Sequence, residues 1–226
     1  MVFAAFLVVT TAVGFLLDPR LMSDLRFASN HIFANIYLPH RVSNLILFSD
    51  IFVAIPAFVL GPFLLNESLR NKYLKLHRAG GMIYAFGAVG CGVSGFILGL
   101  CNTQGIMAKL GFATLGALLV LTTVTSVRAA IRKKFVQHRV WAIRSYALMF
   151  AFFFVKFLFI AYGLYFKGRI DPDLYKQILS WACWVPNLMM AEIYISMTTP
   201  TGKFVGWKNI IGNYAKNRIL QGRPGI

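Results

Sequence analysis

Two His-Arg dipeptides carry the first chemical signal in this chain: His77-Arg78 in LHRAGGMIY and His138-Arg139 in QHRVWAIRSYAL, each where a basic stretch gives way to an apolar run. A neutral imidazole can ligate haem iron, and a guanidinium beside it can neutralise a propionate at the wet edge of a bilayer. His77 and His138 therefore read as candidate axial ligands of one haem b, with Arg78 and Arg139 as propionate partners. The same pairs also suit a plainer role, because interfacial Lys, Arg and His side chains snorkel to headgroups and hold anionic phospholipid, cardiolipin included. The sequence leaves both open. His31 and His40 fall in the segment 18–42, so a second haem has no evident ligand pair.

Ionisable groups inside apolar runs are the second signal, since charge in a bilayer is costly and needs a partner. Asp50 and Lys156 reach similar depth from one side, and Arg144 and Glu192 from the other, so two intramembrane ion pairs are predicted. They can fix helix register, or serve proton or quinone chemistry, with a quinone near Arg144, Tyr146 and Glu192. Pro56, Pro62 and Pro186 each remove a helix hydrogen bond and free a carbonyl that a neighbour must satisfy.

The elements that position these residues follow from composition. Of 226 residues, 58% are hydrophobic and 13% charged, which suits a chain dissolved mostly in lipid. Runs approaching the roughly 20 residues needed to cross the hydrocarbon core occur at about 2–17, 43–65, 79–101, 108–128, 141–166 and 178–198. The expected fold is an all-α integral membrane protein, one domain of about six spans, with an interfacial linker 18–42 and a basic tail 199–226. The 23 Lys and Arg against 7 Asp and Glu sit largely in the loops 66–78 and 128–140 and in the tail. All three fall on one side of a six-span bundle, which the positive-inside rule makes the cytoplasmic or matrix side, with both termini there. That placement accounts for the charge without nucleic acid.

The third run carries Gly87, Cys91, Gly95 and Gly99 at every fourth residue. A face so bare lets a neighbouring helix, or a flat ligand, approach closely. Cys91, Cys101 and Cys183 lack metal or disulfide spacing and read as packing residues. Signatures of soluble hydrolases, nucleotide-binding loops and zinc proteases are absent.

The stretch 57–84 together with HRVWAIRSYALMF at 138–150 resembles a family of predicted multi-span membrane proteins, domain of unknown function 2306. The shared positions are Gly61 and Pro62; His77, Arg78, Gly81 and Tyr84; and His138, Arg139, Trp141, Arg144, Ser145 and Tyr146. Ala142 stands where the family has Met, and Ser49 or Asp50 where it has a histidine. The resemblance implies the bundle and adds Tyr84 and Tyr146 to the site; it implies no activity.

The leading expectation is thus a non-catalytic subunit or anchor of a larger energy-converting complex, in a bacterial or mitochondrial inner membrane, contacting other membrane subunits and anionic phospholipid. A haem b electron carrier on His77 and His138 is the alternative, and a small-solute or proton transporter using Asp50 and Lys156 a third.

Overall fold

The computed structural model describes residues 54–102, 105–162 and 170–198, and within them every regular element is a helix. In chain order these are α1, Ala54–Leu65; α2, Glu67–Lys72; α3, Leu74–Leu100; α4, Ile106–Ile131; α5, Phe135–Ala161; α6, Pro172–Ala182; and α7, Val185–Thr198. The stretches Leu74–Leu100, Ile106–Ile131 and Asp173–Thr198 are long and apolar enough to cross a membrane. The chain is an all-α membrane bundle. The predicted first span, the linker 18–42, the tail 199–226 and both termini lie outside the described residues.

Helices overrun the predicted spans because hydropathy marks where lipid ends, whereas the helical hydrogen-bond ladder continues into the interface. The predicted loop 66–78 is mostly helical: the Asn66 carboxamide caps α2 by accepting from the N–H groups of Ser68 and Leu69 at 3.0 and 3.3 Å. The predicted loop 128–140 shrinks to a turn of three residues between α4 and α5. There the Lys133 N–H bonds the Ala130 carbonyl at 3.0 Å and the Lys134 N–H the Ala129 carbonyl at 2.9 Å. Lys133 has a φ of 57°. This is a Schellman stop with lysine where glycine is usual. His77 and His138 consequently sit inside the first turns of α3 and α5.

The predicted sixth span is not continuous. It begins at Pro172, with the Asp171 carboxylate capping α6, and breaks at Cys183-Trp184 before α7. Pro186, in the first turn of α7, lacks the N–H that a continuous helix would need there.

α3 and α4 pack along their lengths, as do α4 and α5, while α3 and α5 share little backbone contact. Glycine sets the α3–α4 distance. A Cβ at Gly116 would fall 2.5 Å from both the Gly92 carbonyl oxygen and the Phe96 nitrogen, and one at Gly99 2.5 Å from the Ala113 nitrogen. The predicted glycine stripe is therefore divided: Gly99 meets α4, and Gly95 lies under the Phe152 ring of α5. Its occupant is a helix, and the flat-ligand alternative for that face is corrected.

α1 covers the far side of α3 and α5. A Cβ at Gly80 would touch Leu64 of α1, at 3.4 Å, and the Phe58 ring stacks near Tyr146 and Phe150 of α5, with centroids 6.1 and 5.7 Å apart. α6 lies against the start of α4, where the Trp181 indole donates to the Met107 carbonyl at 3.1 Å.

Candidate functional site

The two motif regions meet through Tyr84 and Ser145. Their hydroxyl oxygens are 2.9 Å apart, and the Ser145 oxygen is 2.7 Å from that of Thr123. Thr123 in turn donates to the Leu119 carbonyl at 2.7 Å. Each hydroxyl has one proton to give, so with Thr123 committed to Leu119, Ser145 donates to Thr123 and Tyr84 to Ser145. All three are buried, and the chain of hydroxyls ties α3, α5 and α4 together in the bundle interior.

This contact places the histidines. His77 precedes Tyr84 by seven residues and His138 precedes Ser145 by seven. Seven residues are two turns, about 10 Å of rise, returning to nearly the same helix face. α3 and α5 run parallel, since α4 lies between them in sequence and antiparallel to both. Both imidazoles therefore lie at one end of the bundle, on the faces that meet at Tyr84 and Ser145. His77 lies within electrostatic range of His138 and Arg70.

His138 is held from α4. Its Nδ1 is 2.9 Å from the Ser126 carbonyl oxygen and 3.0 Å from the Ser126 hydroxyl, and that hydroxyl reaches the His138 carbonyl at 3.2 Å. A carbonyl only accepts, so Nδ1 carries a proton, and the neutral form of this ring has its lone pair on Nε2.

Arg139 does not stand beside Arg78 as a second propionate partner. It forms an ion pair with Glu67 of α2, which ties the α2 turn to α5, while Arg78 is exposed. The glutamate lies within the basic loop 66–78 of the sequence, and its partner depends on α2 being helical.

Arg144 and Glu192 do meet. The guanidinium Nε is 2.5 Å from Oε1 and Nη2 is 2.9 Å from Oε2, a forked contact between α5 and α7. The Arg144 side chain is 1% exposed and that of Glu192 29%, and the guanidinium carbon lies 4.6 Å from the Trp141 ring centre. Asp50 and the Lys156 side chain lie outside what is described, so their pairing stays an expectation.

Tyr146 faces α1. A Cβ at Gly61 would overlap its ring, and its hydroxyl lies 3.5 Å from the Phe58 carbonyl, a long contact. Phe58 is four residues before Pro62, so this is the carbonyl that the proline leaves without its helical donor.

A family model described as a predicted membrane protein, DUF2306, matches residues 47–195. The chain belongs to the DUF2306 family. No curated protein matches it, and no solved structure does.

The DUF2306 match covers every residue placed above, from Phe58 to Glu192. Sequence reasoning missed Glu67 on α2 and, on α4, Thr123, Ser126 and Gly116. Serine and threonine are common in membrane helices, and nothing in their spacing marks which face they take. Among the described residues no group of three or more His, Cys, Asp and Glu converges as metal ligands do.

Proposed function

We propose that this DUF2306 protein is a non-catalytic, membrane-embedded subunit that anchors a larger energy-converting assembly in a bacterial or mitochondrial inner membrane. The observation that carries this reading is the internal satisfaction of the bundle: among the described residues no buried side-chain nitrogen or oxygen lacks a partner. Tyr84, Ser145, Thr123, Arg144 and Glu192 spend their polar groups on joining helices to one another. A protein built to hold shape uses intramembrane polar groups this way.

Two further features support it. Lys72, Lys75, Arg78, Arg128, Arg132, Lys133 and Lys134 gather at the His77–His138 end, close to the α2 and α4–α5 turns, a cationic rim suited to anionic headgroups. Large apolar side chains face outward along α3 and α7, among them Met82, Phe86, Met190 and Met197, where lipid or neighbouring subunits cover them.

Gentle detergent extraction followed by native electrophoresis tests this reading. The expected result is a band far above the 25.3 kDa of the chain, containing other membrane subunits and disappearing when the gene is deleted. Migration as a lone monomer under conditions that preserve known complexes of the same membrane would overturn it.

A further inference from the structure

We infer that the end of the bundle between α3 and α5 is a binding site for one haem, with His77 and His138 as its axial ligands. The inference does not depend on the anchoring role and goes beyond it.

Three observations converge. First, helical periodicity puts the histidines on the faces of α3 and α5 that meet at the Tyr84–Ser145 bridge, one heptad from it, and these two helices do not pack backbone to backbone. A gap spanned by long side chains is what a planar ring with an axial ligand on each face requires. Second, His138 is prepared as a ligand: Nδ1–H is fixed by the Ser126 carbonyl, and no side chain among the described residues takes up Nε2. Metal-bound imidazoles are held in this way, with the distal N–H given to a carbonyl or carboxylate.

Third, Gly81 lies between His77 and Tyr84 on the same face of α3, and a Cβ built there would meet nothing within 4 Å. Glycine inside a helix is unfavourable relative to alanine. Gly92, Gly99 and Gly116 offset that cost by close helix contact, but Gly81 touches no neighbour that would. Its missing side chain leaves open space beside His77, the edge of a slot.

The ligand set selects the group. Structural or catalytic zinc asks for three or four protein ligands, and only two converge here. A porphyrin iron brings four nitrogens of its own and takes two imidazoles from the protein. Arg70, near His77, and exposed Arg78 are the cations available for propionates, in place of Arg139, which Glu67 holds. The ring lies at the histidines and Gly81, not on the Gly95–Gly99 face that α4 and Phe152 fill.

The test is titration of haemin into the purified, detergent-solubilised protein, followed by absorption before and after dithionite. Wild type is expected to give a saturable, equimolar, low-spin spectrum with a sharp α-band on reduction. His77→Ala and His138→Ala should each abolish the low-spin spectrum, and added imidazole should restore it. His138→Met keeps a ligand and should bind with a changed spectrum. Gly81→Leu fills the slot with a better helix former, so it should fold at least as stably while weakening haemin binding at least about tenfold, the scale of a disturbed metal-site shell. Failure of wild type to give the low-spin spectrum overturns the inference, as does a spectrum indifferent to both histidine variants. Full binding by Gly81→Leu overturns the placement of the ring. None of these outcomes bears on native-gel migration, so the anchoring role stands or falls separately.

Discussion

The ring of Tyr146 lies directly on the bare backbone of Gly61, leaving no room for even one methyl group there. The next residue, Pro62, withholds the N–H that the Phe58 carbonyl would otherwise receive, and the Tyr146 hydroxyl lies 3.5 Å from that carbonyl. One tyrosine on α5 thus explains both residues of the Gly-Pro pair on α1. Gly61 supplies room for the ring and Pro62 leaves an acceptor for its hydroxyl.

Gly61→Ala should therefore destabilise the bundle by about 1–3 kcal/mol through overpacking, read as a lowered melting temperature in detergent. Combining it with Tyr146→Ala should recover part of the loss, because the overlap disappears with the ring; strict additivity of the two changes would contradict the contact.

The hydroxyl chain makes a graded expectation. Tyr84→Phe removes one bond and should cost on the order of 0.6 kcal/mol, the usual scale for interhelical hydrogen bonds in membranes. Ser145→Ala removes both of its bonds and should cost more. Once Ser145 is alanine, Tyr84→Phe should add little, and equal costs in the two backgrounds would show that the bridge does not form.

Removing one member of the Arg144–Glu192 pair should cost unequally. Arg144 is almost fully buried and Glu192 is partly exposed, so Glu192→Leu strands a buried charge and should destabilise by about 3–5 kcal/mol. Arg144→Leu leaves a carboxylate able to reach a more polar environment and should cost less. The double variant should lie close to wild type, as replaced buried pairs often do. Chemical unfolding of the three variants measures the order, and a double variant worse than either single one would contradict it.

Glycines on α3 and α4 should separate by environment. Gly116→Ala forces a methyl group against the α3 backbone, at 2.5 Å from two of its atoms, and should cost roughly 3 kcal/mol. Gly81→Ala meets open space and should gain about 1 kcal/mol from helix propensity. Melting curves that move in the same direction for both would show that the two positions are not distinguished as described.

Much of the architecture was legible because it rests on hydropathy and single residue types. The apolar runs 79–101 and 108–128 fall within helices long and apolar enough to cross a membrane, and Arg144 and Glu192 were paired because each was an unaffordable charge alone at matching depth. What hid from the sequence depended on helix rotation. Which glycine met α4 could not be read from a four-residue stripe that wraps around the helix: Gly92, noted beside the stripe, meets Gly116 of α4, which was overlooked, while Gly95 faces Phe152. Arg139 was assigned to a ligand because Glu67 sat in a stretch read as loop, and the Asn66 cap that makes it helical is a short-range signal within a basic segment. Ser126 and Thr123 carried no charge to attract notice, yet they hold His138 and Ser145.

α3 and α5 run parallel, with residues 77 and 138 at one membrane boundary. Cysteine-free protein carrying His77→Cys together with His138→Cys, spin-labelled at both positions, measures this directly by the distance between labels. The account gives a short distance, about the separation of neighbouring or diagonal helices in one bundle, roughly 10–15 Å before label length is added, and labelling of both sites by an impermeant reagent from the same side. A separation near 30 Å, the thickness of the hydrocarbon core, or labelling from opposite sides, would contradict it.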